Sequence, residues 1–182
     1  MGKYWQELKK SKDIPRHLKP VIESYRRSLE ELLRERGQLD EEIGSYKNKE
    51  IELLKSVPGV GEVASKTIYA AIDTVKRFGS AKKLTSYCGL VPSVRSSGER
   101  TEYGHITREG RSEVRRVAIQ GAHAVLRSKS VESKPLRVWH EQVAKRRGFK
   151  TALVGLARKL IQIMFYVLRD KRQYDYRLLS TR

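Results

Sequence analysis

Two adjacent serines, Ser96 and Ser97, stand between two arginines, Arg95 and Arg100, in a segment that also contains a glycine. A serine hydroxyl can attack a phosphodiester when the phosphate charge is offset and the hydroxyl proton is removed. Arginine meets the first need because its guanidinium donates two parallel hydrogen bonds to phosphate oxygens. These residue types make Ser97 or Ser96 a candidate nucleophile for phosphoryl transfer.

The base that would take the serine proton is not evident from the sequence. Glu99, Glu102 and His105 are candidates by proximity alone. We find no serine–histidine–aspartate signature, no glycine-rich phosphate loop and no carboxylate cluster spaced for two metal ions. The four histidines lack the spacing of metal ligands, so we expect no metal site in this chain. By residue types alone, an ordinary polar loop explains the Ser-Ser-Gly segment better than catalysis does.

A proline-glycine turn near residue 58 predicts a helix–hairpin–helix, which binds a nucleic-acid backbone without reading its sequence. Pro58 and Gly59 should end the first helix, and Gly59 and Gly61 allow backbone angles that other residues resist. Backbone N–H groups around Gly59, Val60 and Gly61, with Lys66 behind them, could hold a phosphate. The hairpin carbonyls are candidate ligands for a monovalent cation. The alternative is a tight turn between two core helices.

Apolar residues on both sides of this turn support the prediction. Val57 and Val60 are expected to anchor the turn in a core. The buried side of the second helix is predicted to comprise Val63, Ala64, Thr67, Ile68, Ala71 and Ile72.

The net charge of +18 is concentrated in one part of the chain. Residues 53–182 carry 27 basic and 10 acidic groups, whereas residues 20–52 carry six basic and nine acidic groups. This asymmetry indicates a polyanionic partner, DNA or a structured RNA. The alternative is a solvated basic surface. Besides the hairpin residues, the predicted nucleic-acid contacts are Arg95, Arg100, Arg108, Arg111, Arg115, Lys145, Arg146, Arg147 and Lys150.

The single cysteine, Cys88, excludes an intramolecular disulfide and favours a reducing compartment. Its apolar neighbours predict a buried structural thiol rather than a nucleophile. The first residues lack a signal-peptide pattern, and no apolar run approaches the ~20 residues of a membrane span. We therefore expect a cytoplasmic, nucleoid-associated protein without a membrane partner.

A heptad pattern precedes the basic part. The apolar seam contains Leu18, Ile22, Tyr25, Leu29, Leu32, Leu39, Ile43 and Tyr46, with Arg36 at one seam position. Spacings that alternate between three and four residues predict a coiled coil that forms a homodimer or a higher oligomer. The alternative is that this helix packs on the chain's own globular part. Gly37 and Gly44 weaken the helix and could mark a bend.

The predicted fold class is all-α, a long coiled-coil helix followed by a compact helical domain. We expect a polar segment over 1–17, the coiled coil over 18–49, the domain over 50–172 and a polar tail over 173–182. Residues 93–110 show no periodicity and predict a long polar loop, with a short hairpin over residues 102–106 as an option. The last three helices should begin near Ser112, Leu136 and Lys150, and the last should be the central core helix.

An ordered set of motifs resembles the C-terminal half of transposases of insertion-sequence family 110, which are related to Piv-type DNA invertases. The resemblance covers about residues 50–170. The matching positions are Leu54-x-x-Val-Pro-Gly-Val-Gly-x-x-x-Ala64, Arg77-Phe78, Tyr87-x-Gly89-Leu-x-Pro92, Ser97-Gly98, Gly104-x-Ile106-Thr-x-x-Gly110, Arg115 and Ala118.

The resemblance implies that Ser97 is the DNA-attacking nucleophile of a recombinase, with Ser96 as the adjacent second candidate. It also implies an N-terminal domain with four metal-binding acids, Mg²⁺ held there, and an element-encoded RNA that selects the DNA partners. This chain shows no such acid-bearing domain, so we expect a fragment that binds nucleic acid but does not recombine DNA alone. The alternative is a non-catalytic helix–hairpin–helix module that binds DNA or RNA.

Overall fold

The computed structural model describes residues 14–97 and 100–179, and the chain divides into two compact units, Met1–Lys47 and Asn48–Arg182. The predicted all-α class is confirmed, because the described residues form seven α-helices and a single two-stranded sheet. The first unit contains one long helix, and the second contains the core.

The long helix of the first unit is α1 (Lys19–Ser45), which follows a short 3₁₀ turn at Arg16–Leu18. It is continuous through both of its internal glycines and buries none of its residues. At ~1.5 Å per residue, its length is about 40 Å. Arg26 pairs with Glu23 and with Glu30 on the same face, which is the spacing that stabilises a solvated helix.

The second unit contains the remaining elements. They are α2 (Lys49–Lys55), α3 (Glu62–Ile72), α4 (Ala81–Tyr87), β1 (Pro92–Ser97), β2 (Arg100–Ile106), α5 (Ser112–Arg127), α6 (Lys134–Arg147) and α7 (Phe149–Asp170). Short 3₁₀ turns at Val75–Arg77 and Tyr176–Leu179 complete it.

The core of this unit is built around α7, as its broad apolar face predicts. Helices α2, α4, α5 and α6 all pack on it. Its buried residues include Leu156, Leu160, Ile161 and Met164. Helix α7 is long and apolar enough to cross a membrane, which corrects the expectation that no apolar run is long enough. However, 61% of its most apolar 18-residue stretch is buried in the unit. Its packing is that of a core helix.

Local sequence features account for the buried face of α5 and for the ends of α6. All six apolar or small residues predicted to face inward on α5 are buried, namely Val114, Val117, Ala118, Gly121, Ala122 and Val125. Pro135 lies in the first turn of α6, where its missing N–H costs nothing. Gly148, with a φ of +82°, separates α6 from α7.

The prediction of a polar loop over residues 93–110 is wrong, because β1 and β2 form an antiparallel hairpin there. Ser97 pairs with Arg100 at one end and Pro92 pairs with Ile106 at the other, with an irregularity near Pro92. The hairpin was hidden because polar residues occupy both faces of its strands, so the alternation that marks a half-buried strand is absent. The short hairpin considered over residues 102–106 falls within β2.

Candidate nucleic-acid interface and serine hairpin

The turn between α2 and α3 is anchored in the core. Val57 and Val60 are 1% and 7% exposed, which confirms their predicted role. Gly59 has a φ of +81°, and a Cβ placed on it would lie 2.3 Å from the carbonyl oxygen of Gly121 in α5. Only glycine satisfies both conditions, so this turn packs its own backbone directly against α5.

The start of α3 is open to solvent. Gly61, the N-cap residue, has a φ of −90°, so the expectation that it needs an unusual backbone angle is wrong. A Cβ placed on Gly61 would meet no described atom within 4 Å. Val63 is 76% exposed, which corrects its assignment to the buried side, because it lies on the face of α3 opposite the buried Ile68 and Ile72. The first N–H groups of α3 therefore begin at an exposed surface.

Two lysines and a glutamate form an ion-pair cluster at the same place. Glu62 pairs with Lys66 at 2.6 Å and with Lys55 at 2.9 Å, so it links the end of α2 to the start of α3. Lys66 and then Lys55 lower the pKa of the Glu62 carboxyl to about 2. Lys66, predicted to back a bound phosphate, is only 9% exposed. The i,i+4 spacing of Glu62 and Lys66 was the available signal for this cluster, and sequence reasoning missed it.

Backbone hydrogen bonds and a close backbone contact join the base of the β1–β2 hairpin to the end of α4 and the residues that follow it. The amide of Arg111 donates to the Tyr87 carbonyl at 3.1 Å, and the amide of Thr107 donates to the Val91 carbonyl at 2.9 Å. Gly110 has a φ of +125°, and a Cβ there would lie 2.2 Å from the Tyr87 carbonyl oxygen. Two of the resemblance's motif positions, Tyr87 and Gly110, thus determine where the hairpin leaves the core.

Two of the predicted nucleic-acid contacts take part in this junction. Arg111 donates from Nε to the Tyr87 hydroxyl at 2.9 Å, and Arg115 donates from Nη1 to the Cys88 carbonyl at 3.2 Å. Arg115 is half-buried, whereas Arg111 is exposed. Burial raises the pKa of the Cys88 thiol to about 12 against the opposing effect of Arg115. This environment fits the structural thiol that the sequence predicts.

A third arginine at this junction was not identified from the sequence. The Arg77 guanidinium lies 4.9 Å from the ring centroids of both Phe78 and Tyr87. Such stacking holds the cation by its attraction to the ring faces. The Arg77-Phe78 pair was noted only as part of the resemblance, and its contact with Tyr87 spans ten residues of sequence.

The candidate nucleophiles occupy the last two positions of β1. Ser96 pairs with Thr101 and is exposed, and Ser97 pairs with Arg100. The side chains of Ser97, Arg95, Arg100 and Glu102 are outside the described part of the chain, as are residues 98 and 99. The backbone therefore brings Ser97 and Arg100 to the same end of the hairpin, directly across the ladder from each other.

Of the other predicted basic contacts, four lie apart from the hairpin and one, Arg108, follows its base. Lys145, Arg146 and Arg147 form the last turn of α6, and Lys150 lies in the first turn of α7; all four are exposed. Arg108, exposed with a φ of +58°, lies between β2 and α5. The structure thus separates the predicted contacts into the α2–α3 turn, the hairpin and its base, and the α6–α7 junction.

Among residues 14–97 and 100–179, no group of three or more His, Cys, Asp and Glu side chains could hold a metal ion. The Mg²⁺ that the resemblance implies for another domain has no ligand set in this part of the chain.

The fold and these surfaces define a mostly helical, basic domain with a serine-containing β-hairpin. Residues 51–136 match the family described as Transposase IS116/IS110/IS902 family. The chain belongs to this family of transposases.

Named relatives agree with that assignment. The transposase for insertion sequence element IS1111A of Coxiella burnetii is 31% identical over 144 residues, 74% of this chain and 40% of the relative. The IS110 43.6 kDa protein of Streptomyces coelicolor is 29% identical over 69% of this chain and 30% of its own length. The pilin gene-inverting protein of Moraxella bovis is 30% identical over 72% and 40%. The match thus spans less than half the length of each of these relatives.

Proposed function

We propose that this chain is the DNA-binding and serine-bearing part of a transposase that attacks DNA phosphodiesters. The observation that carries the proposal is the β1–β2 hairpin, which brings Ser97 across from Arg100 and has its base tied to the core. Two kinds of relative support it, one named a transposase and one named a gene-inverting protein. Both names describe DNA rearrangement.

The α2–α3 turn is proposed to act as a helix–hairpin–helix that binds the DNA backbone. Its rigid attachment through Val60 and Gly59 fixes the position of the exposed N-terminus of α3. Free N–H groups and the positive end of the helix dipole favour a phosphate there. Contacts to phosphates position a protein on a duplex without reading its sequence.

The chemical step assigned to the hairpin is a direct displacement at phosphorus. The Ser97 Oγ forms a bond to the phosphorus, the bond from phosphorus to a sugar oxygen breaks, and that oxygen takes up a proton. The hydroxyl proton passes to a base. Arg95 and Arg100 are proposed to offset the charge that builds on the phosphate oxygens in the transition state. Arg108 follows the base of the hairpin, at the end opposite Ser97, so it is not assigned this role. The product is a DNA strand joined covalently to the serine.

The test uses the complete product of the gene that encodes this chain, supplied with both DNA partners, Mg²⁺ and the RNA of its element. Wild type, Ser96→Ala and Ser97→Ala are compared for recombinant DNA and for a protein–DNA adduct that survives denaturation. Ser97→Ala should abolish both products and leave DNA binding nearly unchanged, because one neutral hydrogen bond contributes only about 1 kcal/mol. Ser93→Ala, the same substitution earlier in β1, is the matched control.

Normal recombination by Ser97→Ala would show that the assignment is wrong. Loss of activity in Ser96→Ala alone would move the nucleophile one residue upstream. If neither variant loses activity and no adduct forms, the domain is a binding module. Competition between duplex DNA and structured RNA then decides which of them it binds.

The partners proposed for the complex are a second copy of the chain and an element-encoded RNA. α1 buries none of its residues, and Leu32, Leu39 and Ile43 are each more than half exposed along one seam. A helix of this length without a buried face needs a partner. Sedimentation should show a dimer or higher oligomer, and Leu29→Asp with Leu39→Asp should give a monomer. A monomeric wild type at micromolar concentration would contradict the coiled coil.

A further inference from the structure

A cleft of about 390 Å³ opens beside the C-terminal end of α7, apart from the α2–α3 turn and the β1–β2 hairpin. One wall is the last two turns of α7, and the other is the segment from Thr74 to Ala81 that leads into α4. Glu50 of α2 lies on the rim. The volume lies within the range of small-ligand sites, about 300 to 1,000 Å³.

One wall of the cleft presents an aromatic ring that is only partly covered. Tyr166 is 47% exposed, and the buried ring of Phe165 meets it edge-on with centroids 5.4 Å apart. The Arg169 guanidinium lies over one face of the Tyr166 ring, 4.8 Å from its centroid, so stacking on this ring uses the opposite face. Arg169 is also held by Asp170, with Nε to Oδ1 at 2.6 Å and Nη2 to Oδ2 at 3.0 Å. The ring and the guanidinium therefore form one cation–π pair on this wall of the cleft.

The remaining charges around the cleft are mainly positive. Lys76 comes from the 3₁₀ turn, and Lys171 follows α7 with a φ of +50° that turns the chain away from the helix axis. Both lysines are exposed. Among the described lining residues, Glu50 supplies the one carboxylate, and the nearby Asp170 is already paired with Arg169. The cleft thus combines a flat aromatic platform with two ammonium groups that an anion can reach.

We propose that this cleft binds one nucleotide of a single-stranded nucleic acid. The base stacks on the face of the Tyr166 ring opposite Arg169, and Lys76 and Lys171 bind the adjoining phosphates. Aromatic platforms inside basic grooves bind single strands because every base has a face that can stack. A base within a duplex is already stacked on its neighbours, so it cannot lie on Tyr166 without leaving the helix.

This site rests on the nucleic-acid binding proposed above and adds a second contact to it. The two contacts bind different parts of a nucleic acid. The α2–α3 turn offers backbone N–H groups to phosphates of a duplex, whereas the cleft offers a stacking surface that only an unpaired base can use. DNA strand exchange exposes unpaired bases, and so does an RNA with loops. Either source supplies the same ligand, a single-stranded nucleotide with its phosphates.

The experiment measures binding of the whole chain to an eight-nucleotide oligothymidine that carries one 2-aminopurine, as DNA and as the corresponding RNA. Stacking on Tyr166 should quench the 2-aminopurine fluorescence on binding. Tyr166→Ala should remove most of that quenching and weaken single-strand binding about tenfold. Lys171→Glu should weaken binding but retain the quenching at saturation. Val131→Ala shortens an exposed apolar side chain outside both proposed binding surfaces and should change neither signal.

A random duplex measured with the same variants separates this site from the proposed function. Tyr166→Ala should leave duplex affinity unchanged, and Gly61→Val should weaken duplex binding while the 2-aminopurine quenching remains. Undiminished quenching in Tyr166→Ala, or an equal loss of duplex and single-strand affinity, would overturn the proposal. Failure of Gly61→Val to affect the duplex would count against the α2–α3 turn alone. Preference for the DNA or the RNA octamer identifies the source of the strand.

Discussion

The α2–α3 turn and the β1–β2 hairpin are both short reversals of the chain, but they are held in opposite ways. The turn buries Val57 and Val60 and packs its backbone against Gly121. In the described residues, β1 and β2 pair only with each other, and Val94 on β1 is 55% exposed. The hydrogen bonds that tie the hairpin to the core are at its base.

This contrast suggests a division of labour between the two regions. A rigid turn suits a contact that positions the DNA, because its geometry is preset before binding. An isolated two-stranded hairpin is marginally stable, so β1 and β2 can adjust to a strand that another domain or subunit presents. We therefore expect that binding and chemistry can be damaged separately.

The largest effect should come from adding a methyl group to the turn. Gly59→Ala places a Cβ against the Gly121 carbonyl oxygen at a φ of +81°, so the free energy of unfolding should fall by about 3 kcal/mol. Urea denaturation measures this. Gly61→Ala is the matched control, since its Cβ meets no atom within 4 Å, and it should change stability by less than about 1 kcal/mol. Equal effects of the two variants would show that the turn is not packed as described.

The second largest effect should be a difference in amide hydrogen-exchange rate between the helices beside the turn and the β1–β2 hairpin. Amides of α3 and α5 lie in or on the core, whereas those of β1 and β2 are protected only by the hairpin's own ladder. Native-state exchange of the hairpin amides should be at least about thirtyfold faster, because local opening requires less free energy than global unfolding. Similar protection in both regions would mean that a further contact holds the hairpin.

A smaller effect is expected from the ion-pair cluster beside the turn. Glu62→Gln removes the negative charge that Lys55 and Lys66 share, so duplex affinity at low salt should rise several-fold. Fluorescence anisotropy measures it, and Glu52→Gln, which removes a charge that pairs with Lys55 alone, is the control. Unchanged or weaker binding would mean that the cluster supports the phosphate site rather than competing with it.

The pH dependence of the ion pairs between Glu62 and the two lysines follows from the lowered pKa of the Glu62 carboxyl. Because the folded pKa of Glu62 is lowered to about 2, its carboxylate stays charged as the pH falls through the ordinary value of 4.5. The ion pairs should be lost only as the pH falls through about 2. Carbon-detected NMR titration should therefore show no Glu62 transition near the ordinary pKa, and a midpoint near 4.5 would contradict the cluster.

The smallest effect concerns the segment that follows α7 and helps to hold the turn. The Tyr174 amide donates to the Ser56 Oγ at 2.9 Å, and the Tyr174 hydroxyl donates to the Glu132 carbonyl at 3.1 Å. Tyr174→Phe removes only the second bond, so thermal unfolding should show a loss of about 1 kcal/mol or less. Tyr25→Phe, on an exposed ring of α1, should have no effect. A loss of several kcal/mol would mean that this segment contributes more than one hydrogen bond.

Much of the helical architecture was readable from the sequence because apolar residues recur at helical spacing wherever a face is buried. The inward face of α5 and the central position of α7 were predicted for this reason. Ser80 caps α4, and its Oγ accepts a hydrogen bond from the Lys83 amide at 3.3 Å, as expected of a serine directly before a helix. These features depend on local patterns that a single sequence displays.

The candidate site was less readable because its geometry depends on contacts between distant residues. The sequence could not distinguish Gly59, which packs against Gly121, from Gly61, which faces open space. Nor could the sequence reveal that the Tyr87 hydroxyl accepts a hydrogen bond from Arg111, or that the Arg77 guanidinium lies over the Tyr87 ring. The polar strands of the hairpin gave no alternation to recognise, so the position of Ser97 across from Arg100 emerged only from the structure.

The most direct test of this division of labour compares Gly61→Val and Ser97→Ala for binding to random duplexes over a range of salt. We predict about a tenfold loss of affinity for Gly61→Val, with its circular-dichroism helix signal intact, and less than about a twofold change for Ser97→Ala. The wild-type affinity should fall with salt at about −0.9 in log–log slope for each phosphate contact. Unchanged duplex affinity in Gly61→Val, together with a large loss in Ser97→Ala, would contradict the separation of binding from chemistry.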